Sequence, residues 1–178
     1  MVIVMTGKLA VQLVGLAGTV LILLSFQCRS NKRLFGVQLA AYLCYTAHML
    51  LLGAVSGGLS YMINAVRSFC LGGKKRFLNS RGMCVILCVL QACVLAVSRE
   101  GWLSLLPVAA NIVSTVAGYT HNPRKVRLAA LFINSPLWVV YDVFVGSWAG
   151  ILDEAVTMGS VIVSGIRYGW KEMDRTET

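Results

Sequence analysis

Four long stretches of the chain carry no Asp, Glu, Lys or Arg: residues 9–28, 34–66, 82–98 and 101–120. Each approaches or exceeds the roughly 20 apolar residues that a helix needs to cross a ~30 Å hydrocarbon core. The stretch 34–66 is too long for one helix, and Gly53-Ala54-Val55-Ser56-Gly57-Gly58 breaks it, since glycine this dense favours a turn. Gly146-Ser147-Trp148-Ala149-Gly150 divides the last apolar region in the same way. The pattern predicts seven spans, at about 9–27, 34–52, 55–72, 82–98, 102–120, 128–145 and 148–168. Lys8 followed by a long apolar run also fits a secretory leader. That run is longer than a usual leader core and no A-x-A-like cleavage site follows, so the first span is expected to remain a membrane helix.

The odd number of spans is consistent with the loop charges. Arg29, Lys32, Arg33, Lys74, Lys75, Arg76, Arg81, Arg124, Lys125, Arg127, Arg167, Lys171 and Arg175 fall on one side, 13 in all, against 2 (Lys8 and Arg99) on the other. Arg67 lies within the third span. Basic residues mark the cytoplasmic side, which predicts an external N-terminus and a cytoplasmic C-terminus. Trp102 and Trp148 then lie at the outer interface and Trp170 at the inner one.

Composition agrees with this picture: 57% of the 178 residues are hydrophobic, 13% are charged, and the mean hydropathy is +0.75. The formal net charge of +9 sits in short loops, where it reads as a topology signal rather than a nucleic-acid surface. The six cysteines (28, 44, 70, 84, 88 and 93) lie within or beside the apolar runs and read as packing residues. Cys84 and Cys88 share a helix face without further ligands, so no metal or other cofactor is expected. Haem would need paired histidines, and the chain has only His48 and His121; a retinal protein would need a lysine inside the seventh span, and Lys171 lies beyond it. No nucleophile motif supports an intramembrane hydrolase. An enzyme is not expected.

A shift of 93 residues brings Gly53 onto Gly146, Gly57 onto Gly150, Tyr45 onto Trp138, Leu59 onto Leu152 and Lys32 onto Lys125. Spans one to three thus correspond to five to seven, with the fourth between them, and both units have the same orientation. This is one recurrent transporter plan. The expected division is 1–73 for the first three-helix unit, 74–100 for the loop and linker helix, and 101–178 for the second unit and tail.

The segment Asn134-Ser135-Pro136-Leu137-Trp138-Val139-Val140-Tyr141, followed by a glycine turn and a helix with polar residues, resembles the second-helix signature of SWEET and PQ-loop proteins. Over Gln38–Arg67 and Leu105–Arg167 the chain is most similar to the YgjV family of bacterial inner-membrane proteins. The resemblance implies an all-α membrane fold of two parallel three-helix bundles and a linker helix, multi-pass in the inner membrane. It supplies no substrate. One departure is that Phe26-Gln27 and Tyr119-Thr120 stand where PQ-loop proteins have Pro-Gln, so a proline hinge is missing there.

A polar group at mid-membrane is costly unless it is paired or faces water, so depth selects candidates. Asn64 and Asn111 fall near the midplane of their spans, with Tyr45, Trp138 and Thr157 within about a turn. Aromatic planes with amides and hydroxyls suit a small polar solute such as a sugar, or a vitamin or nucleoside precursor. The resemblance to SWEET proteins implies pocket residues at Tyr45, Asn64, Trp138 and a polar position on the seventh helix. The repeat register points to Thr157 for this last position, the family's spacing to Glu154. Asp142, Asp153 and Glu154 lie in the outer part of the last two spans, as a proton relay or cation-attracting mouth, or as carboxylates hydrated near the interface or paired with Arg67. Arg67 reaches the inner interface by snorkelling, and His48 is a hydrogen-bonded structural group or a titrating one. A sorting or assembly module on the same scaffold is the reading without transport.

Overall fold

A computed structural model describes residues 2–26, 31–73, 75–98 and 100–168. Gln27, Cys28, Arg29, Lys74, Arg99, Trp170, Lys171 and Arg175, which entered the readings above, lie outside the described residues. Regular structure among the described residues is entirely helical: α1 (Val2–Phe26), α2 (Asn31–Leu51), α3 (Val55–Gly72), α4 (Arg81–Val97), α5 (Leu105–Tyr119), α6 (Pro123–Ala129), α7 (Ser135–Val145) and α8 (Trp148–Tyr168). A 3-10 turn at Gly101–Ser104 leads into α5, and a π turn at Ala130–Asn134 joins α6 to α7. The sixth predicted span is therefore α6, the π turn and α7 in one rod. It starts earlier than expected because Pro123 sits at its N-terminus and the Asn122 side chain accepts from the backbone N–H of Arg124 (3.0 Å) and Lys125 (3.1 Å).

The π turn has a local cause. Pro136 has no N–H to donate and its ring crowds the carbonyl four residues earlier, so a widened turn just before it relieves the clash. The backbone N–H of Ser135 accordingly bonds to Ala130 O, five residues back.

Helix contacts form a closed cycle. α1 packs on α2 and α8, α2 on α3, α3 on α5, α5 on α7, and α7 on α8, while α4 lies outside against α3 and α5. The turns after α2 and α7 are built alike. Gly53 (φ +80°) and Gly146 (φ +73°) occupy the left-handed region that glycine tolerates. Ala54 N–H donates to Met49 O at 2.9 Å, and Ser147 N–H donates to Asp142 O at 2.9 Å. Ala54 and Met49 are the positions that the 93-residue shift places on Ser147 and Asp142.

The distribution of side chains is inverted relative to a protein in water. Phe69 (64% exposed), Phe132 (69%) and Ile166 (79%) face outward, while His48, Asp142 and Ser135 are fully buried. Apolar surface outside and polar groups inside is what a hydrocarbon solvent imposes. Two rods, Gly101–Tyr119 and Arg124–Val145, are both long and apolar enough to cross a bilayer; Leu9–Ser25 and Arg81–Val97 are shorter apolar helices. The helices α2, α3 and α8 have 21, 18 and 21 residues, or roughly 27–32 Å at 1.5 Å per residue. Their mean hydropathy is diluted by the polar residues they turn inward.

Candidate functional site

The interior of the helix cycle holds an aromatic row. The rings of Tyr45 and Tyr61 stack with centroids 4.9 Å apart, Tyr61 meets Trp138 at 4.4 Å, and Trp138 meets Tyr141 edge-on at 5.7 Å. Tyr45 and Trp138 therefore do not face each other directly, because Tyr61 from α3 stands between them. Helical spacing places Tyr61 and Asn64 on one inward face, a pairing that the sequence reading, focused on mid-membrane depth, missed. Gly18 on α1 allows the Tyr45 ring to lie close, since a Cβ there would come within 3.0 Å of it. The Tyr45 hydroxyl lies 2.6 Å from Thr19 Oγ1.

Beside this row, Asn64 Nδ2 donates to Asn111 Oδ1 at 3.0 Å, and Trp138 Nε1 donates to the same oxygen at 3.3 Å. The indole N–H is only a donor, so it fixes the orientation of the Asn111 amide and in turn that of Asn64. Asn64 Oδ1 and Asn111 Nδ2 are left buried without a partner. Tyr45, Asn64, Asn111 and Trp138 are thus all buried around one centre. Thr157 is half-buried and enters none of these bonds. Glu154, the other candidate on that helix, is buried, and the hydroxyl of Ser135 faces it across the α7–α8 contact without reaching hydrogen-bond geometry.

The acids are deeper in the protein than an interfacial reading allows. Asp142 is 0% exposed, Asp153 7% and Glu154 5%, which corrects the expectation of carboxylates hydrated near the interface. The cause is packing: both Asp142 oxygens lie against Gly150, where a Cβ would come within 2.4–2.6 Å of the carboxylate. Both Asp142 oxygens, Asp153 Oδ1 and Glu154 Oε2 have no hydrogen-bond partner. Arg67 is half-buried and its Nη1 donates to Thr115 Oγ1 at 3.5 Å. Among the described residues no ion pair joins Arg67 to these carboxylates, so the expected pairing is not formed.

One end of the molecule is tied across the cycle by two latches. His48 Nδ1 lies 2.8 Å from Val11 O and Nε2 lies 2.9 Å from Ser147 Oγ. A carbonyl only accepts, so Nδ1 carries the proton and a neutral ring takes the Ser147 hydroxyl proton at Nε2. Gln12 adds a clamp, donating to Gly146 O (2.9 Å) and accepting from Ala149 N–H (3.3 Å). In the second latch, the Tyr141 hydroxyl accepts from Gly57 N–H at 2.9 Å and donates to Glu100 Oε2 at 2.8 Å. Glu100 also accepts from the backbone N–H of Ser56 at 2.9 Å and from the Ser56 hydroxyl. Glu100 is legible in the sequence as an acid of the outer loop near the last two spans, whereas Gln12, Tyr141 and Ser147 were not singled out as site residues; only the register relating His48 to Tyr141 could have pointed to them. Trp102 and Trp148 are exposed. Among the described residues no group of three or more His, Cys, Asp or Glu side chains is arranged to hold a metal ion.

Outward apolar faces, an inward polar core and helices of bilayer-spanning length define a helical integral membrane protein. Residues 9–172 match the Imp-YgjV family, a bacterial inner membrane protein family, and the chain belongs to that family. Neither the curated proteins nor the solved structures contain a match to it.

Proposed function

We propose that the protein is a multi-pass inner-membrane carrier for a small polar solute, in which α1–α3 and α5–α8 act as two three-helix units joined by α4. The helix contacts support this division. Exchanging α1 with α5, α2 with the α6–α7 rod and α3 with α8 converts the α1–α8 contact into the α5–α3 contact and leaves the neighbour pattern unchanged. In this reading the solute binds at the centre, the units rock about it, and no catalytic step is involved. The π turn before Pro136 supplies a bending point that the missing Pro-Gln pair does not. By the loop charges, the end bearing Gly53 and Gly146 faces outward and the C-terminus is cytoplasmic.

The observation that carries the proposal is the orphaned amide pair. Asn64 Oδ1 and Asn111 Nδ2, an acceptor and a donor, lie unpartnered beside Tyr61 and Trp138 in a core where unmade hydrogen bonds are costly. A solute with polar groups at these atoms would complete them. Tyr61 favours a second reading: by filling the space between Tyr45 and Trp138 it gives the centre the density of a static sorting or assembly module.

Thermal unfolding of purified protein against sugars, nucleosides, vitamins and amines tests the first reading. For any solute that stabilises the protein, Asn64→Ala should weaken binding by roughly 5- to 150-fold, from about 1–3 kcal/mol for an unmade buried bond. The variant should unfold almost as the parent does, because interhelical hydrogen bonds average ~0.6 kcal/mol in membranes. Unchanged affinity in both Asn64→Ala and Trp138→Ala, with lowered melting temperatures, would make these residues packing groups.

A further inference from the structure

The unpartnered atoms at the centre are unbalanced in kind. Five accept hydrogen bonds when the carboxyls are ionised: Asn64 Oδ1, both oxygens of Asp142, Asp153 Oδ1 and Glu154 Oε2. Against them stand Asn111 Nδ2 and the Ser135 hydroxyl. Ionised, the carboxylates would lack a counter-charge as well. Asp142, Asp153 and Glu154 are all buried, whereas Arg67, Lys75, Arg76, Arg81, Arg124, Lys125 and Arg127 are half-buried or exposed. Arg67, a cation within α3, is half-buried and bonded to Thr115.

Tyr61 is where these groups converge. Its ring packs between Tyr45 and Trp138, and all three carboxylates lie within electrostatic reach of it. The Tyr45 hydroxyl faces Asp153 from α2, and Ser135 faces Glu154 from α7. Asn64 stands one helical turn from Tyr61 on the same face of α3. The centre therefore combines aromatic faces, carboxylates without a counter-charge and a surplus of hydrogen-bond acceptors.

We infer that the solute is a small organic cation with N–H donors, a protonated primary amine, held at Asp153 and Glu154 against the Tyr61 and Trp138 rings with Asn64 Oδ1 as a further acceptor. The inference rests on the carrier reading and names its substrate class. Three elementary matches support it. An ammonium has three donors and no acceptor, the complement of this set of atoms. A cation within about 6 Å of a Tyr or Trp ring is attracted by the ring quadrupole. A buried carboxylate lacking a partner is unfavourable, and the solute's charge supplies that partner. A metal cation fits less well, since no group of three ligating side chains is arranged for one among the described residues.

The experiment is a melting-temperature titration of the purified protein at neutral pH with ethanolamine and putrescine. Ethylene glycol serves as a neutral analogue and tetramethylammonium as a cation without N–H donors. The two amines should give a saturable stabilisation absent with ethylene glycol and weaker with tetramethylammonium. In Asp153→Asn and Glu154→Gln the amine affinity should fall by at least about thirtyfold, the lower end for breaking a buried charge pair. Equal responses to ethylene glycol and ethanolamine, no saturable response to either amine, or unchanged affinity in both variants would overturn the inference. Stabilisation by a sugar or nucleoside with none by amines would overturn it while leaving the carrier reading in place. The wild-type comparison decides the matter if the variants do not fold.

Discussion

Gly150 shows how much of this interior depends on a missing methyl group. Its backbone lies against the Asp142 carboxylate, and a Cβ would come within 2.4–2.6 Å of three carboxylate atoms. Asp142 is fully buried and held on a helix interior, so it has little room to withdraw. Gly150→Ala should therefore destabilise the protein by about 1–3 kcal/mol, the usual cost of overpacking a filled core, read as a lower melting temperature in detergent. Gly159 on the same helix meets nothing within 4 Å, so Gly159→Ala should be neutral or slightly stabilising; equal loss in both would mean that helix flexibility, not the carboxylate contact, requires Gly150. At this scale the sequence was only partly legible. Tyr45, Asn64, Asn111 and Trp138 could be found because polar and aromatic side chains at mid-membrane depth have few other reasons to be there. Tyr61 was passed over because depth gives position along the membrane normal but not which ring fills a gap between two others. The burial of Asp142 was misjudged for the same reason: distance from the helix end suggested hydration, whereas a facing glycine decides it.

At the scale of elements, the two glycine turns and the two latches form a related pair. The 93-residue shift places His48 on Tyr141, and each reaches from the end of its helix to the start of a helix in the other half: His48 to Ser147 before α8, Tyr141 to Ser56 and Gly57 in α3. The chemistry differs while the geometry is shared, which is why residue matching revealed the turns but not the ties. Tyr141→Phe removes the hydroxyl that joins Glu100 to the Gly57 N–H. The variant should lose about 1–3 kcal/mol of stability, since Gly57 N–H is left buried without an acceptor. If the tie also holds this end closed, a thiol-specific reagent added from that side should reach the core faster than in the parent. A variant as stable and as slowly labelled as the parent would remove the tie from the account. The spans themselves were legible to within a few residues at most boundaries, because charge-free length and dense glycine follow directly from the solvent. The π turn was not, since a proline inside an apolar run signals a break without saying how the backbone accommodates it.

For the whole molecule, membrane residence follows from the inverted surface and the family match, while the two-unit carrier is the proposal built upon them. A static module and a carrier share every contact described above; they differ in whether the centre is reached from both faces of the membrane. The most direct test places a single cysteine at Asn64 in a background with the six native cysteines replaced. Membrane-impermeant thiol reagents are then applied from one side at a time to protein of known orientation in vesicles. The carrier account predicts labelling from each side, with prior labelling from one side blocking the other. Labelling from one side only, or from neither while the protein remains folded, would contradict it.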